Sequence, residues 1–139
     1  MDEYCSQKMS QAELRGTETR RVLLSVLHTA AGPLAPPAIV ALCHEAGRKV
    51  NKTTIYRDLA MMEKAGIVHR VIVSDRKQYF ELTERGHHHH FICTGCEVIQ
   101  DVDLDENFVL AKAKKAGKRI GFSIVTHAFE FYGRCAECT

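Results

Sequence analysis

No stretch of the 139-residue sequence approaches the roughly 20 consecutive apolar residues that a membrane-spanning helix needs, so no membrane partner is expected. The opening segment, Met1-Asp2-Glu3-Tyr4-Cys5-Ser6-Gln7, lacks the basic and apolar regions of a secretory signal, which makes the cytoplasm the expected location. Low-complexity tracts and internal repeats are missing too. With 45% hydrophobic and 26% charged residues, the chain can form a globular core, as one domain or two small ones. Disulfides are not the expected use of its six cysteines. Four of them sit in two Cys-x-x-Cys pairs, Cys93/Cys96 and Cys135/Cys138, which in a reducing compartment read as zinc ligands or redox pairs. Cys5 lies outside every motif and is expected to be inert.

A large excess of one charge is also absent, since the net charge is +2, but the charge is unevenly spread. Residues 14–85 carry 12 Lys+Arg against 7 Asp+Glu, and residues 86–139 carry 6 against 7. Periodicity predicts a helix over residues 17–30, opened by Thr17 and stopped at Gly32-Pro33, with Leu23, Val26, Leu27 and Ala30 at core spacing. A second helix opens at Pro36-Pro37 and places Ile39, Leu42, Cys43 and Ala46 on one face, so Cys43 reads as a small buried hydrophobe. A third, capped by Asn51, runs over residues 52–65 and ends at Gly66. Residues 67–73 and 78–82, joined by Ser74-Asp75-Arg76-Lys77, read as a hairpin. Three helices and a two-stranded hairpin make a winged helix-turn-helix.

On the third helix, Ile55, Leu59 and Met62 fall inward, while Thr53, Arg57, Ala60 and Lys64 fall outward with Tyr56 at the edge. A small, hydrogen-bonding outer face suits a recognition helix in a DNA major groove. The candidate DNA contacts are Lys52, Thr53, Thr54, Tyr56 and Arg57, together with Arg15, Thr17 and Arg20 around the start of the first long helix, where arginines suit phosphates or a minor groove.

After the hinge candidate Glu84-Arg85-Gly86 the pattern changes. Residues 91–93 and 98–101 are short strand candidates, and residues 105–116 form a helix candidate capped by Asp103 or Asp105. Residues 122–132 form an alternating, β-prone run. The expected fold is therefore α+β. An N-terminal winged helix-turn-helix DNA-binding domain spans 1–84, and a small α/β metal-binding dimerisation domain spans 85–139, its strands returning antiparallel to bring His127, Cys135 and Cys138 to the first cysteine pair.

The chemistry centres on His87-His88-His89-His90-Phe91-Ile92-Cys93-Thr94-Gly95-Cys96. Two Cys-x-x-Cys turns can close a tetrahedral zinc site from Cys93, Cys96, Cys135 and Cys138. Imidazoles also accept iron, copper and nickel, so the run points to a second kind of site. It leads straight into an apolar strand, and strand alternation sends His88 and His90 to one face and His87 and His89 to the other.

Thr17-x-x-Arg20, Thr53-Thr54-Ile55-Tyr56-Arg57, Ala65-Gly66-Ile67-Val68, Phe80-Glu81-Leu82, the histidine run with Cys93-x-x-Cys96, and His127 followed by Gly133-x-Cys135-x-x-Cys138 together resemble the ferric uptake regulator family over nearly the whole chain. The resemblance implies a dimeric, metal-responsive, DNA-binding repressor acting on a double-stranded operator of two-fold symmetry, and not an enzyme. It implies a structural zinc on the four cysteines, a regulatory set of Glu81, His88 and His90, and a second set of His87, His89, His127 and Glu106. The family's iron and peroxide sensors carry a further histidine where this chain has Gly32-Pro33-Leu34. His69 resembles a ligand of the zinc-sensing branch and is the candidate replacement. The acidic residue expected after Val98-Ile99 is Gln100, with Asp101 one step later. The regulatory metal is zinc, Fe(II) or Mn(II), with metal homeostasis or related stress genes as the regulated set. The alternatives are a peroxide- or redox-sensing regulator of the same family and, further off, a His/Glu metallohydrolase.

Overall fold

The computed structural model of the protein describes residues 2–85, 88–125 and 127–139. They divide into two units, Met1–His87 and His88–Thr139. In the first unit, the hydroxyl of Thr17 accepts from the Arg20 N–H at 3.2 Å and starts α2 (Glu18–Thr29), and Asn51 accepts from the Thr54 N–H at 2.8 Å to start α4 (Lys52–Lys64). Between them, α3 (Pro36–Glu45) begins on two prolines, which need no N–H partner there. Gly66 ends α4 at a φ of 78°, in the left-handed region where glycine has no Cβ to clash.

The hairpin pairs β1 (Val68–Ser74) with β2 (Lys77–Leu82), and Leu34 exchanges backbone hydrogen bonds with Phe80. The core of the unit is the set that helical spacing selects: Leu23, Leu27, Ile39, Cys43, Ile55, Leu59 and Met62, closed by Val68, Phe80 and Leu82 from the hairpin.

One helix escapes the sequence pattern. Preceding the three expected helices, α1 (Asp2–Gln11) buries Cys5 and Met9 in the same core. Its sequence, DEYCSQKMSQ, has too few apolar residues to show a stripe. Cys5 is thus a core residue, its thiol donating to the Arg21 carbonyl at 3.5 Å.

In the second unit, β3 (His89–Cys93) pairs antiparallel with β4 (Ile99–Val102) and parallel with β5 (Glu130–Gly133), with α5 (Asn107–Arg119) in the crossover. Two expectations are corrected here. The return to the first cysteine pair is parallel, because the chain passes through α5 before β5 joins the other edge of β3 in the same direction as β3. Among the described residues, which exclude Thr126, the β-prone run of residues 122–132 yields a strand only at its end, where β3 offers hydrogen bonds. Among the described residues of this unit, only His89, His90, Ile92 and Cys93 are buried. Its interior is built largely from metal-binding side chains rather than apolar ones.

Candidate metal centres and nucleic-acid face

Strand pairing around β3 assembles the first histidine centre. His90 lies opposite Asp101 on β4 and opposite Glu130 on β5. His88 Nε2 and His90 Nε2 are 3.1 Å apart, and Asp101 Oδ1 lies 3.6 and 3.5 Å from them. His90 Nδ1 sits 3.0 Å from Glu130 Oε2. A carboxylate can only accept, so Nδ1 donates to Glu130, and a cation placed among His88, His90 and Asp101 would take the Nε2 lone pair. Ligands about 2.1 Å from one ion lie roughly 3.0–3.4 Å from each other, close to the spacing of these three donors. Neither Asp101 nor Glu130 belongs to the expected set. Cross-strand register places them, and a register cannot be read from one strand alone.

The opposite face of β3 holds the second centre. His89 Nε2 contacts Glu106 Oε2, His127 Nε2 lies 2.9 Å from Glu106 Oε1, and His89 Nδ1 lies 3.2 Å from the Phe129 carbonyl. The carbonyl can accept from Nδ1, and Nε2 is aimed at a carboxylate. The Glu106 carboxylate thus faces the Nε2 atoms of both His89 and His127, three donors that one divalent cation could share. His89, Glu106 and His127 are brought together as expected, with ligand atoms within 4.8 Å of one another. His87, the fourth member of that set, lies outside the described residues.

Cys93, Cys96, Cys135 and Cys138 form the third centre, with all four sulfurs within 4.8 Å of one another and Cys96 Sγ 3.7 Å from Cys135 Sγ. Four sulfurs about 2.3 Å from one zinc would lie roughly 3.8 Å apart, so the cluster has the dimensions of a closed tetrahedral site. The N–H groups of Cys135 and Cys96, with that of Gly95, point at Cys93 Sγ and draw its pKa down to about 5. Cys138 is pushed up to about 12 by hydrogen bonding to Cys135, Cys93 and Cys96, which favours its neutral thiol. Without a cation the four sulfurs resist ionising together, and zinc supplies the charge that makes all four thiolates. Gly95 is needed for close approach, since a Cβ there would stand 2.9 Å from Cys138 Sγ.

In the first unit, Glu81 is buried on β2 with both oxygens engaged. His69, its cross-strand partner, reaches Oε1 at 2.8 Å, and Arg85 donates to Oε2 at 2.8 Å.

The outer face of α4 matches expectation: Lys52, Thr53, Tyr56 and Arg57 are exposed, with the Lys52 ammonium 5.5 Å from the Tyr56 ring centroid. The Thr54 N–H is used in the Asn51 cap, and Thr17 is itself a cap. Arg20 turns inward. Its Nε meets Asp58 at 3.1 Å in a pair with side chains only 12% and 6% exposed, and Nη1 donates to the Arg15 carbonyl at 2.8 Å. Arg20, a candidate phosphate contact, thus also makes a structural pair, while Arg15 stays exposed. The pair went unread in the sequence; a charged residue at position 58, on the inward face between Ile55, Leu59 and Met62, is the signal that could have found it, because a buried carboxylate requires a partner.

A family model described as the ferric uptake regulator family matches residues 11–132. The chain belongs to that family. The ferric uptake regulation protein of Legionella pneumophila is 31% identical over 96% of this chain and 97% of its own length, and that of Escherichia coli K12 is 30% identical over 93% and 86%. A solved ferric uptake regulator from Pseudomonas aeruginosa with manganese is 26% identical, superposes with a TM-score of 0.78, and covers 94% of this chain and 97% of that one. As a ferric uptake regulator family member, the chain is a metal-responsive transcription regulator, not an enzyme. The four-cysteine cluster is its zinc site, and the His/carboxylate sets suit the regulatory metal. Among the described residues, no helix is long and apolar enough to cross a membrane.

Proposed function

We propose that the chain is a cytoplasmic homodimeric repressor in which a regulatory divalent cation joins Glu81, His88 and His90, with His69 and Asp101 available to complete the set. The observation that carries this reading is the convergence of His88 Nε2, His90 Nε2 and Asp101 Oδ1 within 3.6 Å of one another, with Glu130 on the far nitrogen of His90. Residues 1–84 form the DNA-binding domain and residues 85–139 the dimerisation domain. Glu81 and His88 belong to different domains but are seven positions apart in sequence, so a metal on both restricts the short link between them. Zinc on the four cysteines keeps the second domain folded. The second centre of His89, Glu106 and His127, with His87, lies wholly on the dimerisation side and supports its fold.

Two features support a dimer bound to an operator of two-fold symmetry. Phe108, Ile120, Phe122 and Val125 expose 71%, 72%, 70% and 94% of their surface, an apolar area that a second copy would cover. The outward face of α4 offers Tyr56 and Arg57 to base edges, with Lys52, Thr53 and Arg15 toward phosphates, and two copies would read two half-sites. The metal acts by population shift, since it favours the domain arrangement that matches successive major grooves. A hundredfold gain in operator affinity corresponds to about 2.7 kcal/mol of coupling, within the range of one chelate site.

Nitrogen and carboxylate donors accept Zn²⁺, Fe²⁺ and Mn²⁺ alike. Untagged protein assayed for metal content, with operator binding followed across that series, identifies the sensed ion. Operator binding indifferent to all three ions would sink the regulatory reading.

A further inference from the structure

Glu81 keeps only 2% of its surface exposed, and its two oxygens face different partners. The β1–β2 register sets His69 opposite it, with His69 Nε2 2.8 Å from Oε1. Directly after β2 the chain makes a single 3₁₀ turn, Thr83–Arg85, which carries Arg85 back onto the strand it has just left. From there Arg85 Nη1 donates to Glu81 Oε2 at 2.8 Å.

An arginine four positions after a glutamate is ordinarily a loose surface pair of small effect. Here the surroundings fix it. The Thr83 N–H bonds the Ile67 carbonyl at 2.9 Å and closes the turn, and Glu84 is gripped from α1 by the Tyr4 hydroxyl and by Lys8 at 2.9 Å. The other end of the Arg85 guanidinium, Nη2, donates to the Ala31 carbonyl at 3.3 Å. A guanidinium held on both sides against a buried carboxylate makes a directed, charge-assisted bond.

We propose that Arg85 determines the specificity of the regulatory metal set: it keeps Oε2 of Glu81 and leaves the ion one oxygen, Oε1, which favours Zn²⁺ over Mn²⁺. The inference rests on the reading of Glu81 as a regulatory ligand. An ion that gripped both oxygens would stand beside the guanidinium and be repelled by its charge, whereas an ion on Oε1 lies on the His69 side. Zinc is satisfied by four donors and takes imidazoles with a single carboxylate oxygen. Manganese prefers octahedral, oxygen-rich surroundings, so it loses more when one oxygen and part of the carboxylate charge are withheld. Arg85 acts through Glu81 and touches no metal itself.

The test uses full-length protein that retains its cysteine zinc. Zn²⁺ and Mn²⁺ are titrated calorimetrically into wild type, Arg85→Ala, Arg85→Met, Arg85→Lys and Glu81→Gln, and the binding event that Glu81→Gln weakens marks the regulatory set. In Arg85→Ala the affinity for Mn²⁺ relative to Zn²⁺ should rise about tenfold, the scale on which an outer partner tunes metal binding. Arg85→Lys, which keeps a cation beside Oε2, should stay near the wild-type ratio. Urea unfolding accompanies each titration; if Arg85→Ala does not fold, Arg85→Met, which keeps the aliphatic bulk, carries the same prediction. A purely structural Arg85 would weaken both ions together. If the ratio is unchanged or falls in the folded variants, Arg85 is overturned as a specificity determinant and Glu81 stands as a ligand. If Glu81→Gln binds both ions as wild type does, the reading of Glu81 falls and takes this one with it.

Discussion

Glu130 faces His90 across the parallel pairing of β3 and β5, with a carboxylate oxygen 3.0 Å from Nδ1 of the imidazole. In the proposed regulatory set, this contact would hold the proton on Nδ1 and leave Nε2 for the metal. Glu130→Gln can turn its amide to present either an oxygen or an N–H, and Glu130→Ala removes the partner altogether. Both should weaken regulatory metal binding, the alanine variant by about 10–100-fold, the usual effect of losing such an outer partner. Calorimetric titration on protein that retains its cysteine zinc reads this directly. An unchanged metal affinity in Glu130→Ala would remove Glu130 from the account.

The cysteine cluster should behave as part of the fold. Cys93→Ser and Cys138→Ser are each expected to lower zinc content by one per chain and to disrupt dimers, because the second unit buries few residues besides its ligands. Gly95→Ala should weaken zinc retention against a chelator, since its methyl would press on Cys138 Sγ. A dimeric, folded, zinc-depleted Cys138→Ser protein would contradict this. Cys5→Ala, by contrast, should leave zinc intact and cost about 1 kcal/mol of stability in the first unit, through loss of a buried sulfur.

Arg57 and Arg20 should separate DNA reading from stability. Arg57→Ala is expected to weaken specific operator binding by about 1–3 kcal/mol and to relax one base step per half-site. Arg20→Ala strands the Asp58 carboxylate beneath α2 and α4 and should destabilise the first unit by about 3–5 kcal/mol in urea unfolding. An Arg20→Ala protein with wild-type stability but weakened binding to all DNA would assign Arg20 to the phosphates instead.

The sensor itself is tested by His88→Ala/His90→Ala. The double variant should keep its cysteine zinc and its dimer and lose metal-dependent operator binding. His69→Ala reports on completion of the set: a large loss of metal response makes His69 a ligand, and an intact response leaves that role to Asp101. Operator binding by the double variant that still required added metal would rule out the His88/His90 centre as the switch.

Much of this was legible in the sequence because the controlling physics is local. Caps at Thr17 and Asn51, prolines at the start of α3, and the apolar spacing of Ile55, Leu59 and Met62 involve residues within a few positions of one another. Two Cys-x-x-Cys turns and a histidine run declare metal chemistry whatever surrounds them, and strand alternation by itself divides His88 and His90 from His89. Tertiary structure decided what depends on register and distant burial. Asp101 and Glu130 join His90 only through pairing with strands 11 and 40 residues away, and Asp58 becomes the partner of Arg20 only when α4 packs on α2. The run of residues 122–132 has strand propensity along its length, yet among its described residues a strand forms only where Glu130–Gly133 begins, because a strand exists where another strand supplies hydrogen bonds.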